Sequence, residues 1–180
     1  AGTLALSGSG RLSNSSAVSV SGGTFDIGSV SDTVGAVTLG SGSITGSTGV
    51  LTGSSYAVAS GSVSAILGGS GVALTKTTAS TVTLSGVNTY TGATTISAGT
   101  LALSGAGALS DSTAVNLTGA TGVFDISGIT ASGETVGSLA GVASSSVVMT
   151  GKTLTAGGTN ANTTFAGVIS GVGGALTKAG

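Results

Sequence analysis

The octet AGTLALSG at residues 1–8 returns letter for letter at residues 98–105, 97 positions later. Neither copy holds a reactive side chain. Stacked architectures repeat a segment in this way because each copy offers the surface on which the next one packs. The match runs well past the octet. Residues 11–15 align with 108–112 at the same offset of 97, Phe25-Asp26-Ile27 with Phe124-Asp125-Ile126 at 99, and residues 32–35 with 134–137 at 102. Residues 73–76 (Ala-Leu-Thr-Lys) align with 175–178, again at 102. The chain therefore reads as a single segment with an internal duplication, 1–97 and 98–180, whose drifting offset marks small loop insertions.

Short runs that alternate apolar and small polar residues recur along both copies, separated by Gly and Ser, which is the period of strands rather than helices. A repeat of about 100 residues is too long for one coil and divides into coils of roughly 20 to 25 residues. Stacked at about 4.8 Å per coil, seven to nine such coils make a rod roughly 35 to 45 Å long. The expected class is all-β, a parallel β-helix (β-solenoid). An antiparallel sandwich is the main competitor, but the chain has no Pro and no Asn-Gly or Asp-Gly hairpin signal. With 35 Gly, three Phe, two Tyr and no Trp, the interior must be filled by ladders of Val, Leu, Ile and Ala. Alternation predicts that Leu4, Leu6, Phe25, Ile27, Leu101, Leu103, Phe124 and Ile126 all point inward.

Charged residues are 5% of the chain, against roughly 25% in ordinary soluble domains. Arg11, Lys76, Lys152 and Lys178 are scattered and balanced by five acids, so no basic patch exists to hold nucleic acid. The mean hydropathy is +0.60, yet Ser, Thr and Gly interrupt every apolar stretch, and no direct membrane insertion of this segment is expected. Without Cys there is neither a disulfide nor a thiolate metal site, and without His the commonest general base and most zinc sites are gone. No signal peptide opens the chain, which reads as either cytosolic or, in better accord with its composition, a mature or excised piece of an exported protein.

Carboxylates are the remaining chemistry, because β-helical enzymes can cut polysaccharides with clustered Asp or Glu. Among Asp26, Asp32, Asp111, Asp125 and Glu134, none lies within two positions of another. Asp26 and Asp125 each sit between apolar neighbours and should face solvent, several coils apart. The GGxGxD pattern of calcium-loaded rolls is missing. Asn88 and Tyr90 could bind sugar, or could serve as an internal ladder and a coil-end cap. Lys76 and Lys178 are expected as exposed stems. Thr91, Thr94 and Thr95 lack the short strict period of an ice-binding array. No catalytic, cofactor-binding or metal-ligating residue is assigned, and no cofactor is expected.

Residues 82–101, VTLSGVNTYTGATTISAGTL, resemble the β-strand repeat associated with autotransporter passenger domains, and Leu74-Thr75-Lys76 is similar to the element that leads into it. Residues 135–141 and 164–171 look like intervening coils of the same passengers, although the full NTYTG block occurs once. The resemblance implies a right-handed parallel β-helix, displayed at or released from the surface of a Gram-negative-type cell. It also offers one reason for the lack of Cys, since passengers are expected to cross the outer membrane unfolded. A rod of small residues that needed no disulfide is the other.

The function expected is a non-enzymatic stalk or fibre unit of an extracellular autotransporter-like protein, supporting display, adhesion or self-association. The alternatives are a glycan-binding module, then a polysaccharide lyase or hydrolase, then an ice-binding solenoid. Expected partners are further copies of the chain, end to end or side by side, and a host surface or glycan. Since Lys178 is followed by no polar cap, the chain is expected to be a fragment of a longer array or a protomer that stacks, with Ala1 and Gly180 near opposite ends of the rod.

Overall fold

The computed structural model describes residues 2–180; Ala1, and the expectation for its position, lie outside the described residues. The strands are β1 Thr3–Ala5, β2 Val18–Asp26, β3 Asp32–Thr33, β4 Ala36–Thr45, β5 Val50–Thr52 and β6 Ser55–Val58. They continue as β7 Gly61–Val63, β8 Ile66–Gly68, β9 Leu74–Lys76, β10 Thr81–Leu84, β11 Thr94–Gly105 and β12 Ala114–Ile129. The last are β13 Gly133–Val136, β14 Ser138–Gly141, β15 Ser146–Val148, β16 Thr153–Ala156, β17 Val168–Ser170 and β18 Ala175–Lys178. Every strand pair is parallel, and the strands stack as a β-solenoid of about nine turns.

Three faces surround one interior. The first runs β1, β2, β4, β7, β10, β11, β12, β15, β17, with partners such as Thr24↔Ser43 and Leu101↔Phe124 one turn apart. The second stacks β2, β4, β6, β9, β11, β12 and β14. β2, β4, β11 and β12 serve both faces because each bends round a corner, and the corner dictates its residues. Gly42 has φ 88 and Gly61 φ 110, and a Cβ on either would run into the carbonyl of the glycine one turn below, Gly23 or Gly42. Only glycine has both that backbone freedom and that clearance. The third face is broken into two short sheets, β3-β5-β8 and β13-β16-β18.

Inward columns of Val, Leu and Ile fill the rod, and each large side chain buried there contributes roughly 1.5 to 3 kcal/mol. Phe25, Ile27, Leu101, Leu103, Phe124 and Ile126 are all buried as alternation predicts. The two N-terminal members of that set differ. Leu4 is 65% exposed and Leu6 is half-buried against the core. Leu4 is in the right phase, in register with Phe25, but among the described residues no strand lies on the far side of β1. Aromatic residues, though few, belong to the interior: Phe25, Tyr56, Tyr90 and Phe124 are buried and Phe165 packs against them. Tyr56 and Tyr90 meet with ring centroids 5.8 Å apart at 51°.

Candidate functional site

Alternation places polar side chains by the same rule as apolar ones. Asp26 and Asp125 fall on the outward phase of the first face and cap equivalent turns. Asp26 Oδ1 accepts the Gly28 N–H and the Thr45 hydroxyl, each at 3.0 Å, and Asp125 Oδ1 accepts the Ser127 N–H at 2.8 Å. Both carboxylates are thus engaged by their own surroundings.

Asp32 and Glu134 fall on the inward phase, with Val34 and Val136, and each is only 6% exposed. They do the same work in the two copies. Asp32 Oδ2 accepts the Leu12 N–H at 2.8 Å, and Glu134 Oε1 accepts the Leu109 N–H at 2.7 Å. Asn88, 2% exposed, completes the series: its Oδ1 accepts the Leu67 N–H at 3.1 Å, and its Nδ2 donates to Gly86 O at 2.9 Å and Ala108 O at 3.0 Å. These are the places where the third face has no strand pairing across the step. A buried N–H needs an acceptor, so the side chain of the next turn stands in for the missing backbone carbonyl. Sequence reasoning left the inward set of Asp32 and Glu134 unread, although their phase relative to Val34 and Val136 was the available signal.

Burial pushes the Glu134 carboxyl up to about 7; the Leu109 N–H works against that rise and the charge of Asp111, one turn below, adds to it. A raised carboxyl beside a second carboxylate is the pattern of acid–base catalysis. Glu134, however, is turned into the rod with its Oε1 on a backbone N–H, whereas Asp111 is exposed. Three cavities lined by residues from within 2–25, 139–178 and 95–164 have no carboxylate in their walls.

Lys76 corrects an expectation. It is fully buried in the second face, in the inward column between Val58 and Ile96, rather than an exposed stem. Its Nζ donates to the Thr78 carbonyl, to Thr78 Oγ1 at 3.2 Å and to Ala98 O at 3.1 Å, while the Thr78 hydroxyl donates to the Ala59 carbonyl. Burial draws its pKa below the ordinary lysine value. Lys178 is exposed as expected. The two Ala-Leu-Thr-Lys copies are not equivalent in the solenoid: Leu74 pairs with Tyr56 and Thr94 on the second face, Leu176 with Leu154 on the third.

Tyr90 is likewise interior, its hydroxyl 2.8 Å from Thr94 Oγ1, so it neither stacks on a surface sugar nor caps a terminal turn. Burial raises the pKa of both Tyr90 and Tyr56. The three threonines of the ice-binding reading do not share a face: Thr94 is buried, Thr95 points outward, and Thr91 is exposed with its hydroxyl accepting the Gly71 N–H at 2.9 Å. The outward column through Thr95 is interrupted by Ala57, Asn116 and Ala140. Among the described residues no buried side-chain nitrogen or oxygen lacks a hydrogen-bond partner, and no group of three potential metal ligands converges. Among the described residues no helix is long and apolar enough to cross a membrane.

One stretch unites these features: β9 to β11 carries buried Lys76, the Asn88 acceptor, the Tyr90–Thr94 pair and the corner at Gly99. It is this stretch, residues 74–103, that matches the family model of the passenger-associated-transport-repeat. Residues 74–103 are similar to that repeat. The repeat makes more than one full turn of the rod, from Leu74 on the second face to Leu103 on the first, and supports the reading of the chain as an autotransporter passenger segment. No curated protein and no solved structure matches the chain.

Proposed function

We propose that the chain is a non-enzymatic structural unit, a β-solenoid stalk of an extracellular, autotransporter-like surface protein that holds another region away from the cell and supports adhesion or self-association. One observation carries this reading. Buried polar groups that could have been chemical, Asp32, Asn88, Glu134 and Lys76, are all spent on backbone groups of a neighbouring turn. The passenger repeat within the same rod supports an outside location at the surface of a Gram-negative cell.

Placed between an epitope tag and an outer-membrane translocator barrel, the segment should deliver the tag to the cell exterior, where added protease removes it. Purified chain should leave polysaccharide panels uncut and glycan arrays unlabelled. Cleavage that disappears in Asp111→Asn or Glu134→Gln would overturn the stalk reading in favour of a hydrolase or lyase, and glycan capture would favour a binding module.

A further inference from the structure

The loop between β11 and β12, residues 106–113, is tied unevenly to the turns on either side of it. Toward the turn below, the Ala108 N–H donates to Gly86 O at 3.3 Å, and the Ala108 carbonyl accepts the Asn88 N–H at 2.9 Å and Asn88 Nδ2 at 3.0 Å. The Thr113 hydroxyl adds a bond to Tyr90 O at 3.1 Å. The side toward the turn above is sparser. Gly105 O accepts the Thr130 N–H and Thr113 O the Gly137 N–H, but among the described residues between them a single hydrogen bond reaches that turn, from the Leu109 N–H to Glu134 Oε1 at 2.7 Å. No strand pairing reinforces it, since β13, which carries Glu134, pairs with β16.

The duplication supplies a control. Residues 11–15, Arg-Leu-Ser-Asn-Ser, align with 108–112, Ala-Leu-Ser-Asp-Ser, and Asp32 aligns with Glu134. In the first copy the Leu12 N–H is likewise held by one carboxylate, Asp32 Oδ2 at 2.8 Å. The neighbours differ by one charge. Asn14 stands where the second copy has Asp111, so the second copy sets an acid of the loop beside the acid that holds the loop, and the first does not. The other ionisable groups around Glu134 leave that pair unbalanced. Tyr90, from the turn that carries Asn88, is buried with its hydroxyl on Thr94 Oγ1, and Lys152, on the turn above, donates to Ala131 O at 3.0 Å.

We infer that Glu134 is a pH-operated latch on this loop: protonated, it holds the Leu109 N–H inside the rod, and once ionised beside Asp111 it leaves the interior and gives residues 106–112 to solvent. The step is an acid dissociation, with the proton released to water. Two costs drive the release, a charge confined in the interior and its repulsion from Asp111. The hydrogen bond to Leu109 and the burial of the Leu109 side chain, 4% exposed, oppose it, so the open form is a minority that grows with pH. A carboxyl at about 7 when closed and 4.5 when open raises the opening constant about 30-fold between pH 5.5 and 8.5.

Amide hydrogen exchange read by NMR on the 180-residue chain, corrected for the intrinsic rate at each pH, measures the opening at each residue. In the parent the Leu109 amide should open at least about ten times more often than those of Leu101 and Phe124 at both pH values, and its opening constant should rise about 30-fold from pH 5.5 to 8.5. Glu134→Gln should remove the rise, and Asp111→Asn, which restores the letter of the first copy, should move its midpoint to lower pH. Asp111 is exposed, so that variant reports on the latch even where replacing the buried Glu134 impairs folding. A Leu109 amide that opens only as often as Leu101 and Phe124, an opening constant that does not change with pH, a rise that persists in Glu134→Gln, or an Asp111→Asn midpoint that stays or moves up would each overturn the latch.

Discussion

Replacing Glu134 with Gln should stabilise the rod, and only at high pH. In the folded chain burial lifts the carboxyl from 4.5 to about 7, so between those values the folded state holds a proton that the unfolded state has released. Stability from this group is therefore complete below pH 4.5, falls as pH rises through about 7, and is lost above it. A difference of about 2.5 pH units at 1.36 kcal/mol each places the penalty at pH 8.5 on the order of 3 kcal/mol. Gln keeps an oxygen for the Leu109 N–H, which Glu134 now binds at 2.7 Å, and carries no charge to bury. Urea unfolding monitored by circular dichroism at pH 5 and pH 8.5 measures the effect. The two proteins should unfold at nearly the same urea concentration at pH 5, and the variant should gain about 2 to 3 kcal/mol over the parent at pH 8.5. A parent whose stability does not change between the two pH values, or a variant equally weakened at both, would refute the burial argument.

Three further outcomes follow from the same structure and can be read by the same unfolding measurement. Leu101→Ala should cost about 2 to 5 kcal/mol through lost burial and a cavity, whereas Leu4→Ala, in an identical heptapeptide, should stay within about 0.5 kcal/mol. Gly42→Ala should cost about 1 to 3 kcal/mol or more, because φ 88 and the Gly23 carbonyl both oppose a side chain; Gly158→Ala, with nothing near its Cβ, should be neutral. Lys76→Ala should cost about 1 to 3 kcal/mol by leaving the Thr78 and Ala98 carbonyls without their donor, and Lys178→Ala should change little.

Much of this architecture is legible in the letters. Strict alternation places Phe25 and Phe124 inside and Asp26 and Asp125 outside, and the duplicated octet announces stacked coils. Leu4 shows the limit of that reasoning. Alternation gives the phase of a side chain within its own strand, whereas burial in a solenoid depends on the turn above and the turn below. Lys76, Asp32 and Glu134 show a different limit: each is in phase with a buried aliphatic neighbour, Leu74, Val34 or Val136, but polarity argued for solvent at Lys76 and left the phase of the two carboxylates unread. The backbone N–H groups that draw the two carboxylates inside belong to other turns, 20 and 25 residues away in sequence, and no local pattern names them. The paired Ala-Leu-Thr-Lys strings fail for the same reason, since equal letters on different faces meet different neighbours.

The polar acceptors of the third face also bear on how such a chain finds its alignment while folding. Strands made of Ser, Thr, Gly and Val offer nearly the same burial after a slide of two residues, so apolar packing alone leaves mis-threaded stackings close in energy to the native one. Asp32, Asn88 and Glu134 remove that degeneracy, because each must meet one N–H and a slide would strand a polar group in the interior at a cost greater than the packing it preserves. They act as detents along the rod, permitting a featureless sequence to click into a single stacking.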